Sequence, residues 1–278
     1  MAIADTSGHG LNNLNNEALS AELLALAMRV ALGAGELLNT RPKVFDINVK
    51  STAVDFATQM DHASEEFIVG ALLAARPDDG IIGEEGSVRE SRSGITWVID
   101  PLDGTVNYFY GLPGWNVSIA AKDAAGVIVG VVHAPTIGST WSATRVGGAF
   151  LNSLPIACND PVELDRALLG TGFSYSMRAR AHQSAVIQDL IPRVRDIRRN
   201  GAAAVDLCQV ATGGLDGYFE SGLKEWDLAA GGLIAREAGA LVSGYEGGVA
   251  GEEMVIAAGA KLHGILVAEL KREGLPTA

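Results

Sequence analysis

The stretch WVIDPLDGTVNY (97–108) runs an apolar strand into two acids, Asp100 and Asp103, with Gly104 and Thr105 directly behind them. Two neighbouring carboxylates repel each other unless a proton or a cation neutralises them. Pro101 stiffens the link between them and Gly104 allows a tight bend, so the segment can aim both side chains and an intervening carbonyl at a hard, oxygen-seeking cation such as Mg2+. Residues after Gly104 can open a helix whose free N–H groups face an anion. The same letters read equally well as a strand cap followed by an Asp-Gly turn. Three further acidic positions carry a similar double reading. GEEG (83–86), after Ile81 and Ile82, is either a source of cation ligands at Glu84 or a solvated loop. Asp61 and Asp227 stand at the starts of expected helices, where a carboxylate is already useful as a cap or dipole partner, worth about 0.5–2 kcal/mol. Periodicity alone does not bring these acids together in space.

The elements that must position them are legible in outline. Leu19, Leu23, Leu26, Val30 and Leu37 recur at helical spacing over 16–39, and Arg41-Pro42 stops that helix. NVKSTAVDFATQM (48–60) is extended or loop-like. A second helix is expected from about Asp61, burying Phe67, Ile68, Leu72 and Ala75 and ending before Pro77. Short β-type runs follow at 80–85, 96–100, 116–121, 126–135 and 139–145. Beyond about residue 155 helical stretches (182–198, 202–212, 226–238, 262–272) alternate with the short apolar runs LLGTGF, GYFE, ALVSG and MVIAAG, an α/β pattern. The expected organisation is a polar, mobile lead-in over 1–16, an α+β half over 17–155 that carries most of the candidate acids, and an α/β half over 156–278. GGAFLNSLP marks the boundary, and no flexible linker separates the halves.

Composition narrows the partners. With 278 residues, 48% of them hydrophobic, the chain can bury a substantial core, and disorder over most of it is excluded. A formal net charge of −12 argues against a nucleic-acid surface, which needs clustered lysine and arginine. RDIRRN (195–200), the densest basic stretch, reads as a solvated helix end. No uncharged apolar run approaches a membrane span of about 18–20 residues, and Arg29 interrupts the best N-terminal candidate, so no membrane partner is expected. The N-terminus lacks the regions of a signal peptide, and Cys158 and Cys208 make neither a disulfide framework nor metal-site spacing, which points to a reduced, cytoplasmic setting.

Four ordered motifs carry a family resemblance. WVIDPLDGTVNY resembles the first signature of the inositol monophosphatases, within the wider family of Mg2+-dependent, lithium-sensitive sugar-phosphate phosphatases. WDLAAGGLIAREAGA (226–240) resembles their second, GEE lies upstream at the expected distance, and DFATQMD (55–61) matches an Asp-x-Val-Thr-x-x-Asp element with Ala57 in place of valine. The match runs from about residue 20 to 270, and LLGTGFSYSMRAR with RDIRRNGAAAVDLC looks most like the bacterial, actinobacterial branch. The resemblance implies an α/β fold, the layered αβαβα sandwich, and a homodimer whose cleft is built by both halves. It implies two to three Mg2+ ions. Glu84 and Asp100 would hold the first with the Leu102 carbonyl, Asp100, Asp103 and Asp227 the second, and Glu84 would touch a weaker third. Thr105 and Asp61 would orient the attacking water, the backbone of Gly104 and Thr105 would grip the phosphate, and Lys50 would lie on a mobile loop beside the metals.

On the alcohol side NGAAAVD (200–206) resembles the inositol-binding segment, placing Gly201 and Ala203 against the ring, although Ala202 stands where a Ser or Thr is common. Glu220 matches the acid that hydrogen-bonds inositol hydroxyls. Myo-inositol 1-phosphate is therefore the expected substrate, with histidinol phosphate or fructose 1,6-bisphosphate as alternatives. Histidinol-phosphate phosphatases of this fold usually carry Gly-Asp in the first of these segments and lack the glutamate. A catalytically idle, protein-binding member is the alternative from another class.

Overall fold

Leu23, Leu26, Ala27, Val30, Ala31, Ala34 and Leu38 form one buried stripe along a helix, and the small alanines in it let a sheet approach closely. The computed structural model describes residues 7–52 and 55–270, with side chains from residue 16 onward. In chain order the helix α1 (Ser7–Asn39) leads to a hairpin of β1 (Ile47–Val49) and β2 (Phe56–Thr58), then α2 (Gln59–Ala75), β3 (Gly80–Gly83), β4 (Val88–Arg89), β5 (Thr96–Asp103) and the short α3 (Thr105–Tyr110). A meander follows: β6 (Asn116–Asp123), β7 (Gly126–Ala134), β8 (Ser139–Thr144), β9 (Gly148–Leu151) and β10 (Leu154–Pro155). The remainder holds β11 (Leu168–Thr171), α4 (Met177–Leu190), β12 (Asp196–Arg198), α5 (Ala203–Ala211), β13 (Gly217–Glu220), α6 (Glu225–Glu237), β14 (Leu241–Ser243), β15 (Val255–Ala258) and α7 (Ala260–Glu269).

Two sheets organise these elements. The first has eight strands in the order β10-β9-β8-β7-β6-β5-β3-β4, and the second has five in the order β12-β11-β13-β15-β14. Side chains alternate along each strand, so each sheet has two apolar faces to cover. On β5, Trp97 and Ile99 join α1 and α2 in one core, whereas Val98 joins Ala204 and Val205 of α5 and Ala230 and Ile234 of α6. The opposite sides of α5 and α6, including Leu207, Val210 and Ala235, pack on Tyr218, Val255 and Ala257 of the second sheet. The far face of that sheet meets Leu190 of α4 and Leu262 and Leu266 of α7. The layers are thus helices, sheet, helices, sheet, helices: the expected αβαβα sandwich. Each fully buried Leu or Ile in these interfaces contributes about 1.5–3 kcal/mol relative to exposure.

Several expected boundaries move. The first helix begins at Ser7, so residues 7–16 are helical backbone rather than a mobile lead-in, and residues 1–6 lie outside the described residues. The segment Asn16–Asn39 of α1 is long and apolar enough to cross a membrane by length and composition, contrary to the reading that Arg29 rules this out. Its apolar stripe lies on the first sheet and α2. Phe67 and Ala75 of α2 face outward, because Ile68 and Leu72 already fill the inward side of that helix. The helix expected over 182–198 stops at Leu190, since Pro192 removes a backbone donor, and 196–198 instead pair in parallel with β11. GGAFLNSLP, at the expected boundary, is strand rather than linker. It supplies the β9–β10 hairpin at one edge of the first sheet.

Candidate active site

Pro101 cannot donate to the ladder, and the pairing of β5 with β6 shifts register between Asp100 and Asp103. The irregularity ends the strand on both acids: Asp100 stands opposite Ser118, and Asp103 opposite Asn116. Within the bend Leu102 N–H donates to Asp100 Oδ1 at 3.1 Å, and the Pro101 carbonyl accepts from Ser64 Oγ at 2.8 Å. Gly104 then takes φ 86°, a left-handed conformation that favours glycine. A Cβ there would also lie 3.2 Å from the Ala202 Cβ, so the turn and the segment before α5 are in close packing.

The first turns of α2 support this bend. Asp61 is buried; its Oδ2 accepts from Thr58 N and Thr58 Oγ1, both at 2.7 Å, and its Oδ1 lies 2.8 Å from Thr105 Oγ1. Thr105 Oγ1 is also 3.1 Å from the Leu102 carbonyl, and its single proton serves one acceptor at a time. One helical turn on from Asp61, the buried Glu65 accepts from Glu85 N and Ser87 N, each at 2.9 Å, and so sets the path of the GEEG loop. Gly83 is required by that contact, since a Cβ there would fall 2.5 Å from Glu65 Oε2. Lys50, exposed after β1, reaches Glu84 Oε1 at 2.9 Å and Glu85 Oε1 at 2.6 Å.

Asp103 joins the two parts of the chain. Its Oδ2 accepts from Asn116 Nδ2 at 2.8 Å and from Ala204 N at 2.9 Å. Ala202, at the N-cap of α5, has no hydroxyl to offer, and Asp103 satisfies an orphan amide of that helix instead. Asp227 sits in the first turn of α6, where its Oδ2 accepts from Lys224 N at 2.7 Å. On the other side of the cleft Asn107 Nδ2 donates to the Asn200 carbonyl at 2.8 Å, and Asn200 Nδ2 donates to the buried Asp206 at 2.6 Å. These contacts hold Gly201 against the Gly104 turn. Glu220 accepts from the Tyr218 hydroxyl and borders a cavity lined by Thr171, Gly172, Gln183 and Phe219 among others.

The electrostatics reflect crowding of like charge. Burial, then repulsion from Glu84, Asp103 and Asp227, pushes Asp100 far above the usual carboxylate range. Burial and the charges of Asp103 and Glu84 do the same to Asp227. Burial raises Glu84 despite the opposing pull of Lys50, and raises Asp61 despite its hydrogen bonds from Thr58 and Thr105. Asp103 is raised by burial, which the bonds from Asn116 and the Ala203 and Ala204 amides only partly offset. Lys50 loses to burial but gains more from Glu84 and Glu85, and its ammonium is held above its ordinary value. Burial lifts Asp206 to about 8 and Glu220 to about 7.

Among the described residues no three His, Cys, Asp or Glu side chains converge into a ready-made metal cage. Glu84 and Asp100 instead stand close enough for each to shift the other's proton affinity. The donor chemistry nevertheless fits a hard divalent cation, because Glu84, Asp100, Asp103 and Asp227 are carboxylates close enough to repel one another. The structure therefore gathers Glu84, Asp100, Asp103, Asp227, Asp61 and Thr105 at one place, with Lys50 beside Glu84 and the Gly201 segment across from Gly104. Ser64, Glu65, Asn107, Asn116, Asn200 and Asp206 were not singled out from sequence. Only Glu65 had a signal: it lies four residues after Asp61, on the same face of an expected helix.

Comparison with known proteins agrees with this geometry. The model of the inositol monophosphatase family matches residues 19–275. An inositol-1-monophosphatase of Mycobacterium leprae is 41% identical over 237 residues, 81% of each chain. A Nus factor SuhB of Pasteurella multocida is 42% identical over 231 residues, covering 81% of this chain and 86% of that one. The crystal structure of the extragenic suppressor protein suhB from Bartonella henselae superposes with a TM-score of 0.86 at 30% identity, over 91% of this chain and all of the other. From motif, fold and site together, this chain belongs to the inositol monophosphatase family.

Proposed function

We propose that this chain is a Mg2+-dependent phosphomonoesterase that releases phosphate from myo-inositol 1-phosphate, with related polyol phosphates accepted less well. The observation that carries the reading is the position of Asp100. It is fully buried, and three other carboxylates, Glu84, Asp103 and Asp227, raise its proton affinity. Such a group stays protonated unless a cation takes the proton's place. In this reading Glu84, Asp100 and the Leu102 carbonyl would hold one ion, Asp100, Asp103 and Asp227 would hold a second, and Glu84 would touch a weaker third. Bound divalent cations supply neutralisation of the phosphoryl oxygens and a more acidic water.

The chain's own residues account for the proton and the orientation. Asp61, with Oδ2 saturated by Thr58, presents Oδ1 to Thr105. Thr105 donates its proton to that oxygen and turns a lone pair outward, which orients an incoming water and gives its proton a path to Asp61. Burial has raised Asp61, so it is a competent acceptor. The amides of Gly104 and Thr105 grip the phosphate, and the Gly201 and Ala203 segment lies along the alcohol. Glu220 keeps Oε1 for a substrate hydroxyl, because Tyr218 occupies Oε2. The two halves, 17–155 and 156–278, act as one catalytic unit. By the family resemblance the enzyme is a lithium-inhibited homodimer of the cytoplasm, which sedimentation and millimolar LiCl test directly.

The deciding assay is phosphate release from inositol 1-phosphate, histidinol phosphate, fructose 1,6-bisphosphate and a nucleotide bisphosphate, with Mg2+ and with EDTA. The expected result is Mg2+-dependent turnover with inositol 1-phosphate preferred in kcat/KM. No metal-dependent turnover on any of the four sinks the enzyme reading, and a large preference for histidinol phosphate sinks the inositol assignment. A protein-binding role is favoured by one observation, the Nus factor name of the Pasteurella relative. The assay separates that role from catalysis.

A further inference from the structure

Asn116 opens β6 directly across from Asp103, and its side chain is fully buried. Nδ2 donates to Asp103 Oδ2 at 2.8 Å and lies 3.5 Å from the Asp103 carbonyl. The carboxylate determines which end of the amide faces it, because turning Oδ1 toward Asp103 would set acceptor against acceptor. Asn116 Oδ1 is then left sealed from solvent with no donor, one of three such side-chain atoms among the described residues. Oδ1 and Nδ2 share one carbon, so this orphan acceptor stands next to the group that holds Asp103. A buried acceptor left unpaired is costly, and such groups mark a place where a water, an ion or strain belongs.

We propose that Asn116 is a positioning residue for cation capture, fixing Asp103 through Oδ2 and offering its own buried Oδ1 to a water that enters with the cation. The first part follows from the donors. With Asn116 and Ala204 both on Oδ2, the carboxylate cannot rotate without breaking two bonds, and Oδ1 retains a lone pair for an external ligand. The second part gives the orphan oxygen a donor, since among the described residues no N–H or O–H reaches it. Asn116 acts through Asp103 and touches neither phosphate nor alcohol, so its effect belongs on metal affinity rather than on substrate affinity. The proposal rests on the reading of Asp103 as a Mg2+ ligand.

The test is titration calorimetry of Mg2+ into the substrate-free wild type, Asn116→Leu and Asn116→Ala, paired with kinetics over a wide Mg2+ range. Groups that hold a metal ligand in place typically alter affinity 10- to 100-fold when removed, so Mg2+ should bind about tenfold or more weakly to Asn116→Leu. The Mg2+ needed for half-maximal turnover should rise in parallel, while KM for inositol 1-phosphate at saturating Mg2+ stays within about twofold. Mg2+ affinity within twofold of wild type in a folded variant overturns the proposal, as does a fall in kcat that extra Mg2+ does not relieve. If Asn116→Leu fails to fold, Asn116→Ala carries the same comparison, and failure of both makes Asn116 structural and ends the proposal. A wild type that binds no Mg2+ removes the phosphatase reading itself, a separate result visible before any variant is made.

Discussion

The two sides of the cleft are built on opposite principles. On the acid side, Glu84, Asp100, Asp103 and Asp227 are side chains driven together against their own repulsion, and each is raised by burial. On the alcohol side, the Gly201 turn is defined by backbone and held by neutral hydrogen bonds from Asn107 and through Asn200 to Asp206. The first arrangement is incomplete without a counter-charge. The second is complete as it stands, and in the proposed reading it would discriminate by shape and through Glu220. Catalytic power should therefore depend on the first side and substrate choice on the second.

The hardest way to break that contrast is Asp100→Asn. Removing a shared ligand should lower turnover by at least about a thousandfold, on the scale of other groups that neutralise transition-state charge. Stability in EDTA should not fall, because a repelled buried acid has been replaced by a neutral isostere. Near-normal phosphate release would reject the ligand assignment, and calorimetric melting checks the second half. Next comes Glu65→Ala, which leaves the Glu85 and Ser87 amides without their acceptor and should cost about 3 kcal/mol of unfolding free energy in denaturant titration. It should also raise the Mg2+ requirement, since the GEEG loop loses its anchor; an unchanged midpoint would show that the loop is held elsewhere.

On the alcohol side, Glu220→Gln should reduce kcat/KM for inositol 1-phosphate about tenfold while sparing turnover of a smaller phosphomonoester, a differential read directly from initial rates. Equal losses on both substrates would assign Glu220 to the metal side. Stability should also vary with pH. Asp206 and Glu220 titrate higher in the folded protein, at about 8 and 7, than their ordinary 3.8 and 4.5. The folded state then binds more protons than the unfolded state between those limits. Their stabilisation is present below pH 4 and is lost as pH rises toward 7 and 8. Each group contributes at most about 1.4 kcal/mol per pH unit. In EDTA the melting temperature should fall from pH 5 to 7, and Asp206→Asn should flatten that slope; a slope of opposite sign would contradict the burial argument.

How much of this was legible differs by side in the same way. WVIDPLDGTVNY and WDLAAGGLIAREAGA are contiguous, because a strand end and a helix start each bring their acids with them. The meander strands were readable because each is a short apolar run between turn residues. The register shift at Pro101 depends on pairing with β6, and the cap that Asp103 gives to α5 and the Asn107–Asn200 bond join residues roughly 90 to 100 positions apart; no local pattern encodes them. The helix expected across Pro192 failed because amphipathic spacing outweighed a breaker, while β11 offered those residues a parallel partner.

By itself the sequence determined which acids exist, their order along the chain and the elements that would carry them, since spacing, turns and caps are local. Only the tertiary structure decided that Glu84, Asp100, Asp103 and Asp227 stand close enough to raise one another's proton affinity and that Asn116 and Ala204 hold one oxygen of Asp103. The physical reason is that carboxylates supply no attraction of their own. The packing of two sheets around α5 and α6 forces them together, and the repulsion that results creates the demand for a cation.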